Sequence, residues 1–445
     1  MNSLIFKSLI LLIKIICIHS KLIFPLKYVF DTNYNKFNAI SIFNSYNKGH
    51  LEIQIEVGSN FIPINFKLTF DSFSIIIMNS SIIDMPIKYN INQSKTSQMF
   101  LHLFKFKNEP IKAGHLAHDN FHISKYNDNK TDNIGTTLGF FLYPKNIDNI
   151  KYEGIIGIGG INIKRYVYPG YNFLYQLKQN FVINECTIYF SDENNLIIGE
   201  YPEISEPHKF LENQRVDINF SNYNNSKYQY YLFVDYIIFN DSFISSDNYL
   251  LFNLSSFFIE GPEEYKDYVQ KVFFDKYINS NKPRCYKGES KLFGEFFYCD
   301  NNVDISKMPS LIFQIKAYNY NITLNYDNLF ILIEDKLFFL VYFSKKSLIW
   351  KIGYHIIKQL NIAFNQDKKT ISFSKLKALK HQEKNKGNNN KISDKIILII
   401  ILTSCLIANF SIIFYYCHNK IMEKKKKKDL KFKLMLEMPE IINKE

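Results

Sequence analysis

Two distant stretches of the sequence share one outline, an apolar strand that runs into a short turn and a later apolar pair that ends in glycine. In the first stretch, LTF leads into the turn DSFS, which starts at Asp71, and the triplet IIG ends at Gly157, 86 residues later. In the second, LLF leads into NLSS, which starts at Asn253, and KIG ends at Gly353, 100 residues later. A repeat on this scale predicts two homologous halves.

Between Lys21 and Ser374 the sequence consists mostly of short runs in which apolar and polar residues alternate, such as LEIQIEV, INFKLTF and KLFFLVYF. Alternation with a period of two, broken by Asn, Asp, Gly and Pro, is typical of β-strands. Helical spacing is best in two segments, YNFLYQLKQN and PEEYKDYVQKVFFDKYIN. A length of 445 residues allows two domains or one large bilobal domain, and the pattern predicts an all-β or β-rich fold.

The net charge of +12 is concentrated near the ends of the chain. Residues 375–391 contain six lysines and one glutamate, and residues 418–445 contain nine lysines and five acidic residues. The central part is therefore nearly neutral, which argues against a nucleic-acid partner.

Apolar segments at both ends indicate export and membrane anchoring. Residues 1–20 combine Lys7 with an apolar stretch and end at a small residue, which is typical of a secretory signal peptide, with a buried core helix as the alternative. Residues 396–417 contain no charge and are close to the roughly 20 residues that cross a bilayer core. The dense lysine cluster that follows favours a cytoplasmic C-terminus, and it is either a stop-transfer anchor or a site for anionic lipids.

Three of the six cysteines fall in the exported part of the chain. In an oxidising lumen, the close pair Cys285 and Cys299 is expected to form a disulfide, which leaves Cys186 without a partner. The sequence has no CxxC or HExxH motif, and the four histidines between His102 and His122 lie on a lysine-rich stretch. We therefore predict no metal site.

In their order and spacing, these motifs resemble the pepsin-like aspartic proteases, and the export signal, tail anchor and composition resemble the plasmepsin group. GHLEIQIEVGS is similar to the first hairpin of the family, INFKLTFDSFS to the strand that carries its catalytic turn, and YEGIIGIGG to the element behind that turn. CTIYFSDENNLIIGEY resembles the strand pair that closes the first lobe, and IWKIGYHIIKQLNIAFNQDKKTISFSK resembles the final sequence of the family. The resemblance runs from about Asn47 to Phe373 and implies an all-β, bilobal pepsin-like fold followed by one transmembrane helix.

Together, the terminal segments and the resemblance divide the chain into seven predicted parts. They are a signal peptide (1–20), an N-terminal segment or short propeptide (21–46), an N-terminal lobe (47–205), a C-terminal lobe (206–374), a basic stalk (375–395), a transmembrane helix (396–417) and a cytoplasmic tail (418–445). In this single-pass type I topology the lobes lie in the secretory lumen or outside the cell.

The family resemblance also assigns candidate site residues. The family uses two carboxylates that share one proton, so that one activates water while the other donates to the carbonyl. Asp71 matches the first catalytic Asp, whereas Asn253 takes the position of the second. The remaining matched positions are Ser72, Phe73 and Ser74 in the first turn, Leu254 and Ser255 in the second turn, and Phe106 near the usual flap tyrosine.

An amide at Asn253 cannot share a proton with Asp71, so the resemblance implies that the acid pair is lost. The favoured hypothesis is a catalytically inactive homologue that keeps a cleft for a peptide or protein ligand, has the membrane as its other partner and needs no cofactor. Two alternatives stay open. One is an active aspartic endopeptidase with a non-standard site based on Asp71, and the other is a structural or adhesive surface protein with its cleft collapsed around Phe73.

Overall fold

The computed structural model describes residues 21–72, 74–78, 89–105, 113–127, 130–143, 153–159, 172–221, 230–239, 242–278 and 284–377. These residues belong to one compact unit, Met1–Lys377. None of the helices in this part of the chain is long and apolar enough to cross a membrane. The signal peptide, most of the stalk, the transmembrane helix and the tail lie outside the described residues and stay predictions.

Most of the described chain is β-strand, as the alternating runs predict. The strands are β1 (Leu22–Pro25), β2 (Lys27–Val29), β3 (His50–Val57), β4 (Ile62–Thr69), β5 (Ile75–Met78), β6 (Gln98–Lys105), β7 (Ala113–Asn127), β8 (Lys130–Tyr143), β9 (Gly154–Gly157), β10 (Thr187–Phe190), β11 (Asn195–Ile198), β12 (Phe210–Asn219), β13 (Tyr230–Phe239), β14 (Ser242–Asn253), β15 (Ile259–Pro262), β16 (Cys285–Ser290), β17 (Gly294–Asp300), β18 (Leu311–Ile315), β19 (Tyr320–Leu324), β20 (Phe330–Ile333), β21 (Lys336–Ser344), β22 (Trp350–Gly353), β23 (Ile362–Asn365) and β24 (Thr370–Leu376).

Short helices connect the strands. The α-helices are α1 (Ala39–Asn47), α2 (Phe173–Gln179), α3 (Pro202–Ser205), α4 (Lys266–Val269), α5 (Asp275–Ile278), α6 (Tyr326–Leu329) and α7 (Tyr354–Gln359). The 3₁₀-helices are Ile91–Gln93, Glu263–Tyr265, Ile305–Lys307 and Lys316–Tyr318, and Gln270–Phe274 forms a π-helix. Both segments with helical spacing are confirmed, since they contain α2 and the helical stretch from Glu263 to Ile278.

Two sheets share one hydrophobic core. Among the described residues, one sheet has 14 strands, β1 to β12 together with β23 and β24, and the other has 10 strands, β13 to β22. Most of the buried hydrophobic side chains of both sheets belong to one continuous cluster, and two small clusters lie apart from it. The C-terminal strands therefore return to the first sheet after the chain has built the second, and β12, in the predicted C-terminal lobe, pairs within the first sheet too.

The internal repeat corresponds to a three-strand motif that occurs once in each sheet. In the first sheet, β9 lies between β5 and β4, parallel to β4 and antiparallel to β5. In the second sheet, β22 lies between β15 and β14, parallel to β14 and antiparallel to β15. The triplets IIG and KIG form the middle strands, so the structure confirms that the two halves repeat one arrangement.

Candidate functional site

In each three-strand motif, one loop follows the strand that runs parallel to the middle strand, which is β4 in the first sheet and β14 in the second. We call residues 69–76 loop A and residues 253–260 loop B. Loop A begins at Thr69, which pairs with Gly157 of β9, and loop B begins at Asn253, which pairs with Gly353 of β22. The two glycines end the repeated triplets, so they mark equivalent positions in the two halves.

Strand register makes Thr69 the counterpart of Asn253. Both loops return to the middle strand seven residues later, where Ile76 pairs with Ile155 and Glu260 pairs with Lys351. Because the loops have equal length and equivalent anchors, residues correspond one to one, and Asp71 corresponds to Ser255.

Hydrogen bonds inside the loops agree with this correspondence. The Asp71 N–H donates to Thr69 Oγ1 at 3.0 Å, and the Ser255 N–H donates to Asn253 Oδ1 at 2.9 Å. Each loop is thus closed by a bond from the backbone of its third residue to the side chain of its first.

This correspondence differs by two residues from the pairing that the turn sequences predict. When DSFS is matched to NLSS by residue type, Asp71 is equivalent to Asn253. In the strand register, the equivalent of Asn253 is Thr69, two residues before Asp71. Ser72 then corresponds to Ser256 instead of Leu254. The first position of loop A holds an alcohol and that of loop B an amide, and neither group carries a negative charge near neutral pH.

Asp71 itself lies at an exposed position of loop A. Its Oδ2 accepts a hydrogen bond from Thr69 Oγ1 at 3.4 Å. Burial lowers the pKa of Lys67 on the preceding strand, and the negative charge of Asp71 partly opposes that effect. Asp71 therefore contacts residues of its own strand and loop.

The second position of each loop is apolar and buried. Leu254 has no exposed surface, and Phe70 is 1% exposed. The Phe70 ring lies 4.7 Å from the ring of Tyr230 and 4.9 Å from that of Phe364. Aromatic packing between strands of both sheets thus fixes the base of loop A.

Gly353 allows β22 to pass directly behind loop B. A Cβ atom at this position would lie 2.2 Å from the carbonyl oxygen of Phe258, closer than any side chain can come. The glycine at the end of the second triplet is therefore required by close backbone approach.

The other sequence-predicted residues fall into three groups. Ser72 and Ser74 are fully buried, and the Ser74 N–H donates to Ser72 Oγ at 3.2 Å. Phe73 and Phe106 lie outside the described residues. The disulfide between Cys285 and Cys299 is confirmed, and it joins directly opposed residues of β16 and β17.

Sequence reasoning missed a polar network behind loop B. Lys351 Nζ lies 2.9 Å from Glu260 Oε1, and the Tyr342 hydroxyl donates to Glu260 Oε2 at 3.0 Å. At the equivalent pair of the first half stand Ile76 and Ile155. The signal was the lysine in KIG where the first triplet has isoleucine.

A cluster of carboxylates was also missed in the sequence, at Asp192, Glu193 and Glu206. Lys209 Nζ lies 2.8 Å, 3.2 Å and 2.8 Å from their oxygens. A lysine ammonium thus already balances these charges.

The comparisons with known proteins bear on the fold. No protein-family profile matches the chain, and no curated protein matches it. Among solved structures, it is similar to conglutin gamma, a basic 7S globulin from lupine seeds, with 12% identity and a TM-score of 0.58 over 80% of this chain and 95% of that one. Conglutin gamma is structurally related to the pepsin-like aspartic-protease fold, so the chain has a β-rich fold of that kind.

Proposed function

We propose that this chain is a divergent pepsin-like protein, similar to the plasmepsin group, that has lost its acid pair and binds a peptide or protein ligand between its two halves. The transmembrane helix at 396–417 anchors it, with the two halves in the secretory lumen or outside the cell.

The observation that carries this proposal is the pair of residues at the start of the loops. Acid proteolysis of this kind needs two carboxylates about 3 Å apart that share a proton. Thr69 and Asn253 stand at the equivalent positions and can neither share a proton nor activate water as a base. Neither of these two positions holds an acid.

The residues around the loops support the same conclusion. Phe70 and Leu254 give both second positions an apolar side chain, and Asp71 stands where loop B has Ser255. A catalytic carboxylate has to be held within a fraction of an ångström, and an error of about 1 Å can cost on the order of a hundredfold in rate. Asp71 lies two positions after Thr69, which is the counterpart of Asn253.

Retention of binding is supported by the fold alone. Two β-rich halves offer strand backbones to which an extended peptide can add hydrogen bonds, and this mode needs no catalytic acid. The likeness to conglutin gamma shows that the chain keeps such a fold at 12% identity.

Cleavage assays on the full-length protein in detergent test the loss of catalysis. We expect no turnover of denatured protein or of a peptide library between pH 4 and 7.5 by the wild type, by Asn253→Asp or by Thr69→Asp/Asn253→Asp. Circular dichroism controls for folding of the variants. Turnover by the wild type that disappears in Asp71→Ala would overturn the proposal and favour an active endopeptidase based on Asp71.

Affinity selection from the same peptide library tests the binding role. The native protein should enrich a set of related extended peptides, and heat-denatured protein is the control. Equal recovery from both samples would refute a peptide ligand.

A further inference from the structure

The segment before the first hairpin, residues 27–47, packs against loop B. This segment, which we call the arm, consists of β2, a connecting stretch and α1. It is held at both ends, since β1 pairs with β11 just before it and β3 follows directly after it. Within the arm, the Tyr28 hydroxyl donates to the backbone oxygen of Tyr46 at 2.6 Å, which joins β2 to the end of α1.

Helix α1 buries an aromatic side chain in the second sheet. Phe43 has no exposed surface, and its ring stacks on Phe296 at 4.1 Å with an interplanar angle of 3°. The same ring lies 4.8 Å from Phe258 in loop B and 5.5 Å from Tyr342. The helix is thus part of the hydrophobic core on the side of loop B.

Three consecutive residues of loop B contact the arm. Ser256 Oγ donates to Asn47 Oδ1 at 2.8 Å, and Phe258 packs on Phe43 as described. Between them, Phe257 lies 5.2 Å from the ring of Tyr28 and 5.3 Å from the ring of Tyr46. All three loop residues are less than 9% exposed.

We propose that the arm is retained in the mature protein as an intramolecular occupant of loop B, so that a ligand reaches this loop only when α1 detaches. The sequence interpretation treats residues 21–46 as an N-terminal segment or a short propeptide. Excision of the arm would instead remove Phe43 and Tyr28 and expose Phe258 and Phe257, which pack against them. The proposal rests on the proposed binding role only where it invokes a ligand. The contacts between the arm and loop B do not depend on that role.

Hydrogen exchange of the full-length protein in detergent tests the occupancy. Asn47→Ala removes the acceptor of Ser256, so exchange of the backbone amides in residues 253–260 should rise about tenfold, as expected from loss of one buried hydrogen bond. Asn44→Ala is the matched control, because Asn44 lies on the same helix and accepts from Ser290 Oγ at 2.6 Å, outside loop B. Unchanged exchange in Asn47→Ala, or an equal rise in both variants, would overturn the proposal.

Peptide mapping of the protein isolated from its native membranes tests the retention. Peptides that cover residues 27–47 should be present in the mature form, and their absence would overturn the inference. If the arm is retained and the exchange result is as expected but no peptide binds, then the proposed binding role fails while the arm proposal stands.

Discussion

His355 in α7 makes the stability of the protein depend on acidity. Its ring packs 4.8 Å from the ring of Phe257 in loop B. Its Nε2 lies 3.0 Å from Gln359 Nε2, which is a donor, and Asn328 Nδ2 donates to Gln359 Oε1 at 3.3 Å and so fixes the orientation of that amide. His355 must therefore accept through Nε2, and a proton there would face another donor.

Burial, together with the nearby charge of Lys358, lowers the pKa of His355 from 6.5 to about 4. Above pH 6.5 the ring is neutral in both the folded and the unfolded chain, and stability is complete. As the pH falls from 6.5 to 4, the unfolded chain takes up a proton that the folded chain does not, so stability decreases. The loss amounts to about 2 kcal/mol at pH 5 and about 3 kcal/mol at pH 4, at roughly 1.4 kcal/mol for each pH step between the two pKa values.

Urea unfolding of the wild type and of His355→Gln at pH 7.5 and pH 5 measures this effect. The variant keeps an acceptor for Gln359 but cannot titrate, so its loss of unfolding free energy between the two pH values should be smaller by about 2 kcal/mol. His208→Gln is the control, since His208 is exposed and should leave the difference unchanged. An equal pH dependence of His355→Gln and the wild type would refute the reasoning.

Three further predictions concern the disulfide, glycosylation and topology. Replacing both Cys285 and Cys299 by serine should lower the free energy of unfolding by about 3 kcal/mol at most, because the two cysteines are only 14 positions apart in the sequence; urea unfolding measures it, and a much larger loss would contradict this account. In a eukaryotic secretory host, the sequon residues Asn92 and Asn321 are exposed and should carry glycans, whereas Asn253 should not, because Leu254 inside its sequon is fully buried and the Ser255 N–H is bonded to Asn253. Glycopeptide mapping that finds a glycan on Asn253 would contradict the loop geometry. On sealed membranes, added protease should digest the lysine-rich tail and spare the folded domain, and the reverse pattern would refute the type I topology.

The β-rich character, the two halves and the disulfide could be read from the sequence because each depends on local or pairwise chemistry. Alternation with a period of two needs only neighbouring residues, and the triplets IIG and KIG mark one buried strand in each half. Cys285 and Cys299 are the closest cysteines of the exported part, and a hairpin places them opposite each other.

Strand pairing decided which residue of one loop corresponds to which residue of the other. A shift of two residues leaves every side chain on the same face of a strand, so alternation fits Asp71 and Thr69 equally well as the counterpart of Asn253. Residue type favoured the aspartate. Only the pairs Thr69 with Gly157 and Asn253 with Gly353 select the threonine.

The arm was likewise decided by tertiary contacts. Helix α1 has the sequence AISIFNSYN, in which isoleucine, serine, asparagine and tyrosine are mediocre helix formers, and nine residues are too few to be stable alone. Its cap at Asn38 is local, but the packing of Phe43 on Phe296 and Phe258 joins residues that are more than 200 positions apart. The sequence determined which strands could form. Strand pairing within each half determined the register of the loops, and packing on the second sheet determined the position of the arm, because contacts between residues so far apart leave no periodic signal in the chain.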